Sequence, residues 1–513
     1  MKLLFGIFSE DMSYPGSMLS RLAKDHGWDV NLVFFANGAS DDETLTRIQE
    51  FAPDMVALSI KTFERDTSFQ VARLAKKFGA IVIAGGPHVT ASPEDLKSSG
   101  FFHGIVTGDG AGVLAGILDN YRSLDGQIIK GSREEDLSVY ARRFFSPTQE
   151  ERLRSTRIID TISAIGCPFR CTYCGATQKV IPIPLEAVVD EIQAAKECYG
   201  VEMVNFWDDT FTFSRKRVRE YRELMVSRGL DIQHNVTTSV ATFDEGMADE
   251  LVSLGVEDIS FGLETASPKL LKFINKKIRM KDVHRAVRIC QEKGLPFKIN
   301  LMFGLPTQDR EDYELTLKFV EEYKPDNINC FMFVVLPGTP LFDYCIANDH
   351  MPSNWSFEDY LSIDHTLGIR DTPGILRNVD YDIALEYMGL IRELDNQHKD
   401  ETILRVARQA DNYFWVVLGS GYYFDWVLER LSRHQWKNLI GYVNIAEEEF
   451  PNRSFNISIP EFHFAADGLQ PSTVITTSHH GRYFHRAIAP MLSNRFNFSG
   501  KILSFATQQA VAS

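Results

Sequence analysis

At 513 residues the chain is longer than one hydrophobic core serves, so two to four domains are expected. Its 44% hydrophobic and 24% charged content is that of an ordinary globular protein, and no stretch offers about 18 uncharged apolar residues in a row to span a bilayer. A formal net charge of −15 argues against a nucleic-acid partner, whose phosphates reward a basic face.

The opening "MKLLFGIFSEDMSYPGS" breaks its apolar run too early for a secretion signal. Seven cysteines, an odd number with three clustered, do not make a disulfide framework, so the cytoplasm is the expected compartment.

Residues 1–128 alternate strand and helix. "KLLFGIF", "WDVNLVFF", "DMVALSI", "GAIVIAGG" and "HGIVTGDG" are short apolar runs bounded by Gly, Pro or Asp. Helical stretches such as "SMLSRLAKDHG" and "TSFQVARLAKKFG" lie between them, each closed by a glycine. This rhythm predicts a Rossmann-like parallel sheet covered on both faces, with ligands at the carboxyl ends of its strands. Residues 129–155 carry dense charge and read as a linker.

Residues 156–345 supply six more strand candidates: "RIIDTISAIG", "EMVNFWDD", "DIQHNVTTSV", "DISFGLET", "PFKINLMFG" and "NINCFMFVVLPG". With helices between them they predict a partial (β/α)6 barrel whose chemistry sits at the strands' C-terminal ends. Residues 346–405 read as a largely helical connection, and 406–513 as a C-terminal Rossmann-like α/β domain. There Gly419 and Gly421 make half a dinucleotide-binding loop, a weak signal because Tyr423 and Phe424 crowd the place of the third glycine. His479, His480, Arg482, His485 and Arg486 follow a strand and read first as a solvated helix start, second as a site for a phosphate or carboxylate.

The densest chemistry is "SAIGCPFRCTYCGATQ", which places Cys167, Cys171 and Cys174 on one loop directly after the first barrel strand. Three thiolates so spaced wrap a cubane iron–sulfur cluster and leave one of its four irons without a protein ligand, the mark of a catalytic centre. Zinc is the poorer candidate, since it asks for a fourth protein ligand and the nearest histidine, His234, lies 60 residues on.

Cys167-x3-Cys171-x2-Cys174, with Tyr173 before the last cysteine, resembles the signature of the radical S-adenosylmethionine (SAM) enzymes. The likeness covers roughly 156–345, with "FWDDTFT", "FGLETASPKLL", "FGLPTQ" and "LPGTP" each ending a predicted strand. It implies a [4Fe–4S] cluster on the three cysteines, SAM on the open iron, and reductive cleavage of SAM to a 5′-deoxyadenosyl radical. It also implies that Asp208 or Asp209 accepts from the SAM ammonium, unless that residue instead caps the following helix. Glu264 is implied either to bond the SAM ribose or amino acid portion or to cap the next helix. Gly304 and Gly338 are expected at the SAM site chiefly for close backbone approach and turning. Lys298 and Asn300 are candidates for the barrel interior, Cys330 for facing substrate, and Cys198 and Cys290 for small buried hydrophobes. Cysteines are absent from 1–166 and 346–513, which leaves no ligands for a second cluster and sets the chain apart from the methylthiotransferase branch.

Residues 1–128 resemble the cobalamin-binding domain that precedes the barrel in one branch of that family. The matching pieces include "PDMVALSI", "VIAGGPHVTASPEDL" and "GIVTGDGAGVL", and Ser59, Gly85 and Gly86 leave room for a flat macrocycle and its nucleotide tail. The loop after the first strand, "FSEDMSYPGS", has no histidine, and His88 reads as a turn residue, so cobalamin is expected without a protein ligand below.

The implied function is that of a cobalamin-dependent radical SAM methyltransferase. It would act on a small molecule and be fed by a reductant such as a flavodoxin or ferredoxin. A cyclase, oxidase or rearrangement enzyme with a degenerate cobalamin domain is the alternative. A non-catalytic iron–sulfur or cobalamin binding module ranks below both, because "WDD", "GLET", "GLP" and "LPGTP" all stand in register after successive strands.

Overall fold

Runs such as "MVALS" have no polar face, so they fit only inside a sheet covered on both sides. The computed structural model describes residues 1–8, 14–176, 179–352, 355–357 and 374–401, the helix backbone on to 409, and five strands beyond it. In the first domain β1 (Lys2–Ile7), β2 (Asp29–Phe34), β3 (Met55–Ser59), β4 (Ile81–Gly85), β5 (Gly104–Thr107) and β6 (Gln127–Lys130) form one parallel sheet, ordered β2-β1-β3-β4-β5-β6. Alternate residues go to opposite cores: Leu4, Val56, Leu58 and Val82 to one, Leu3, Phe5, Met55 and Ile83 to the other. The strand order reverses between β1 and β3, which opens a ligand crevice at their carboxyl ends. Ser59 and Gly85 are the last residues of β3 and β4, beside that crevice.

The sixth strand, "QIIK", falls where the sequence suggested the start of a linker. Four residues between a Gly126 turn and dense charge are too few to show a period. Nor is the rest of 129–155 slack. A short 3-10 turn, Leu137–Ala141, leads to a helix, Pro147–Thr156, capped by the reciprocal Ser146–Gln149 bonds.

The second domain begins with β7 (Ile158–Thr161), then a two-stranded antiparallel ribbon, β8 (Ala164–Ile165) and β9 (Ile181–Pro182). Next come β10 (Met203–Phe206), β11 (Gln233–Thr238), β12 (Val256–Glu264), β13 (Phe297–Phe303) and β14 (Asn327–Met332). The sheet runs β7-β10-β11-β12-β13-β14, wholly parallel and in chain order, with β7 and β14 as its edges: an open (β/α)6 barrel. Ile159, Val204, Val236, Ile259, Ile299 and Leu301 face the helices and fill the core. Cys330 belongs to this helix-facing set, the opposite face from Asn329, so it does not face a substrate. Cys290 is buried as expected, whereas Cys198 is exposed on its helix.

The C-terminal strands are β15 (Trp415–Gly419), β16 (Leu439–Asn444), β17 (His463–Phe464), β18 (Thr473–Thr476) and β19 (Lys501–Ser504). Their order, β17-β16-β15-β18-β19, with only β17 antiparallel, is a Rossmann-like winding. Gly419 ends β15, while Gly421, Tyr423, Phe424, His479, His480, Arg482, His485 and Arg486 lie outside the described residues, as does most of the loop after β1. Among the described residues no helix is long and apolar enough to cross a membrane.

The segment between the first two domains works as a wedge. Val139, Tyr140 and Leu153 enter the barrel core together with Met18 and Ala111 of the first domain. Arg143 is fully buried, 2.6 Å from Glu191 on the first barrel helix, and its guanidinium lies between the rings of Tyr14 (4.7 Å) and Phe145 (5.0 Å). Burial works against its charge, but Glu191 outweighs the burial and the guanidinium stays ionised. Stranding that carboxylate is costly. Arg143→Ala is expected to lose about 3–5 kcal/mol in urea unfolding. Arg154→Ala, which breaks an exposed pair with Glu150, should lose less than about 1 kcal/mol in the same assay.

Candidate functional site

Residues 166–176 have no regular structure, so the loop that carries the thiols is held by segments distant in sequence. The Thr172 amide donates to the Ile274 carbonyl (3.0 Å), the Leu341 amide donates to the Thr172 carbonyl (2.8 Å), and Asn275 Nδ2 donates to the Arg170 carbonyl (2.6 Å). Cys167 Sγ lies 3.3 Å from Thr210 Oγ1. Burial pushes the Cys171 and Cys174 thiols up, and each also feels the charge of the neighbouring cysteines, so the three are close enough to interact through space. Among the described residues no three His, Cys, Asp or Glu side chains converge to hold a single ion. A cubane does not ask for that, since each thiolate takes a different iron, and the three-sulfur donor set fits it.

A carboxylate and an ammonium stand beside this loop. At the end of β12 the register with β13 slips between Gly262 and Glu264, and Glu264 takes a left-handed backbone (φ 70°) that a glutamate rarely adopts. The slip aims Glu264 Oε1 at Tyr173 Oη (2.9 Å) and Lys276 Nζ (2.9 Å), while Lys276 Nζ also donates to Tyr173 Oη (3.1 Å). Burial works against the Lys276 charge, but Glu264 and Cys171 outweigh it and keep the ammonium protonated. Gly262 makes the space: a Cβ there would lie 2.8 Å from Glu264 Oε1 and 3.0 Å from Lys276 Nζ. Lys276, Gly262 and the pairing role of Tyr173 were missed from sequence. A lysine beyond a short helix gives no local pattern, and the one available clue was the run of consecutive lysines after "KFIN".

The two acids after β10 have different places. Asp208 is buried and accepts from the Ser163 amide (2.8 Å) and Ser163 Oγ (2.7 Å), and burial pushes its carboxyl up to about 6. It pins the ribbon that leads into the thiol loop. Asp209 is exposed at the mouth, has no hydrogen-bond donor among the described residues, is raised by desolvation alone, and acts on Cys174.

The remaining expected residues lie apart from this group. Gly304 (φ 76°) admits Met332 and Tyr381, whose atoms would be 2.7 and 3.2 Å from a Cβ. Gly338 (φ 78°) admits Ala91, whose Cβ would be 2.9 Å away, so the loop after β14 meets the first domain there. Ala91 ends the short helix Pro87–Ala91 that follows Gly86, which brings the carboxyl ends of the two sheets together. Gly86 (φ 106°) is used by the fold, since a Cβ would sit 2.7 Å from the Ile60 amide, whereas Gly85 has only ordinary contacts. The histidines of this domain all have partners. His88 bridges Thr62 (3.3 Å) and Asp95 (3.1 Å), His103 Nδ1 accepts from the Val82 amide, and His26 meets Asp119. Burial would raise Asp95, but Arg65 and His88 outweigh it and hold it at about 2.

The inner barrel face is polar. Asp160 accepts from Asn205 (2.9 Å) and from the indole of Trp207 (3.0 Å), and Asn235 donates to Asn205 (2.8 Å). Lys298 pairs with Asp258 (2.8 Å), Asn300 donates to Ser260 (3.0 Å) and Asn329 donates to Asn300 (2.8 Å). Lys298 and Asn300 therefore do face inward.

The two acids separate in a direct test. If Asp209 is the acid that accepts from the SAM ammonium, Asp209→Asn weakens SAM binding by calorimetry about tenfold or more, the worth of a charged hydrogen bond. In Asp208→Asn the amide oxygen can still accept from the Ser163 amide and Nδ2 can donate to Ser163 Oγ, so the variant should fold and hold its cluster. Because the folded carboxyl is raised, the wild type loses stability through this group as pH climbs from about 4 to about 6. Urea midpoints of Asp208→Asn across that range should lack the loss.

Comparison with known proteins bears on the two domains that carry this arrangement. A model of the radical SAM superfamily matches residues 161–320, and one of the B12 binding domain matches residues 15–118. An uncharacterized methyltransferase of Pyrococcus horikoshii is 27% identical over 418 residues, 74% of this chain and 89% of that protein. The anaerobic magnesium-protoporphyrin IX monomethyl ester cyclase of Rubrivivax gelatinosus is 24% identical over 338 residues, 60% of this chain and 61% of the cyclase. Among solved structures, the radical SAM methyltransferase TsrM from Kitasatospora setae matches with a TM-score of 0.58 at 19% identity, covering 68% of this chain and 76% of that one, a likeness of fold. The chain thus carries a B12-binding domain over residues 15–118 in front of a radical SAM domain over residues 161–320.

Proposed function

We propose that this chain is a cobalamin-dependent radical SAM methyltransferase acting on a small polar molecule. The observation that carries the reading is the meeting of two strand-end mouths: the thiol loop with Asp209, Glu264 and Lys276 on one side, the Ser59 and Gly85 crevice on the other, joined where Gly338 touches Ala91. When bound, the cluster supplies the electron that cleaves SAM and cobalamin carries the methyl group.

Cys167, Cys171 and Cys174 would hold the cluster through three of its irons. Asp209 accepts from the SAM ammonium. Lys276 has three N–H donors, of which Glu264 and Tyr173 take two, and the third serves the SAM carboxylate. Both donors to Glu264 use Oε1, which leaves Oε2 for a ribose hydroxyl. Gly304 and Gly338 contribute backbone shape near the site rather than ligand contacts, and Gly86 lets Ser59 and Gly85 stand at the corrin crevice. The Asn, Asp and Lys side chains of the inner face select a substrate rich in hydrogen-bonding groups, because an apolar one would leave them desolvated. Free thiols and an oxidisable cluster favour a reducing compartment, the cytoplasm. The cyclase of Rubrivivax gelatinosus supports ring formation as the second reading.

Anaerobic reconstitution with iron, sulfide and hydroxocobalamin tests the proposal. The expected result is one cobalt retained per chain and, with SAM and dithionite, both 5′-deoxyadenosine and S-adenosylhomocysteine. 5′-Deoxyadenosine without retained cobalt would favour the second reading. Cys171→Ala should lose the cluster and both products, and its retention of either would refute the thiol assignment.

A further inference from the structure

Cleavage of SAM consumes an electron that the chain itself cannot generate, so a donor has to approach the thiol loop. The surface beside that loop is unusual for this molecule. A cleft of about 680 Å³ lies against the turn between the helices Pro268–Phe273 and Met280–Lys293; Lys272, Lys277, Arg279 and Arg285 line it against one acid, Asp282, while Lys276 in its wall is already paired with Glu264. That acid is already shared. Arg279 holds its carboxyl below the usual range, with Arg285 and Lys281 adding to the effect. Lys272 and Lys277 are exposed and have no ion-pair partner among the described residues. In a chain of net charge −15 this is a concentrated basic patch.

Its position matters as much as its sign. Asn275 in the cleft wall bonds the Arg170 carbonyl of the thiol loop, and Lys276 reaches from the same wall to Tyr173, between Cys171 and Cys174. Arg170 is itself exposed and extends the basic surface onto the loop. A macromolecule seated here is separated from the thiols by the wall of one turn.

We propose that this cleft and its rim are the docking site of a small acidic one-electron carrier protein, of the flavodoxin or plant-type ferredoxin kind. The proposal rests on the reading above that the thiol loop holds a reducible cluster. In the step the carrier is oxidised by one electron and the cluster reduced by one, and no atom is transferred. Charge argues for this occupant. The chain's net negative charge repels an acidic carrier elsewhere, and with fields screened beyond about 8 Å at physiological salt, the local patch decides where the carrier settles.

The test uses the reconstituted protein, purified flavodoxin and ferredoxin, and two variants, Lys272→Glu/Lys277→Glu and the milder Lys272→Gln/Lys277→Gln. Carrier binding is measured by calorimetry at low and high salt, and cluster reduction by stopped-flow bleaching with either reduced carrier or dithionite. For at least one carrier, wild-type affinity should fall with salt. Charge reversal should weaken binding and carrier-driven reduction about tenfold or more, with the glutamine variant in between. Reduction and 5′-deoxyadenosine formation with dithionite should stay at the wild-type level. Unchanged carrier binding in the variants, or no binding of either carrier to wild type, overturns the proposal. So does a parallel fall in the dithionite reaction, which would give the cleft to SAM or substrate. Wild-type protein that takes no electron from dithionite would instead remove the site assignment on which the proposal stands.

Discussion

A loop without secondary structure has to hold three sulfur atoms at fixed separations, and the rest of this site follows from that demand. The loop has no ladder of its own, so its position comes from three hydrogen bonds on the Arg170 and Thr172 backbone, made with Asn275, Ile274 and Leu341, and from the Tyr173–Glu264–Lys276 group. That group requires Glu264 in a left-handed conformation, a strain of about 1–3 kcal/mol that the surrounding contacts must offset. It also requires that residue 262 have no side chain. Backbone strain, a bulge and a glycine thus act together on one carboxylate. The same carboxylate keeps a buried lysine charged beside the sulfurs.

The barrel divides its residues by face. Apolar side chains on the helix side supply the core, and the inner side keeps amides and ions that an open barrel leaves accessible. Stability and chemistry are therefore carried by alternate residues of the same strands. The first domain differs in having both sheet faces apolar, which confines its chemistry to the strand ends. The wedge around Arg143 and the Gly338–Ala91 contact fix one set of strand ends against the other.

Much of this was legible in the sequence, for a physical reason. Strand and helix periods are local, and so is the Cys-x3-Cys-x2-Cys spacing, so the sheets, the open barrel and the thiol loop could be read directly. What sequence left open depended on burial. Asp208 and Asp209 are adjacent and chemically identical, and only the Ser163 contact shows which is structural. Lys276 reaches Glu264 across a helix and a turn, which no periodicity reports. Cys330, a candidate for facing substrate, lies on the helix side instead, because the parity of a single strand is undefined until its neighbours are known. "QIIK" was too short to stand out from the charge around it.

In the proposed site three cysteines hold the cluster and leave one iron for SAM. Mössbauer spectroscopy of protein reconstituted with 57Fe, recorded before and after SAM is added, addresses it directly. One iron of four should separate from the others on SAM addition, as ligation by SAM's amino and carboxylate groups requires. Spectra that keep four equivalent irons with and without SAM would contradict it.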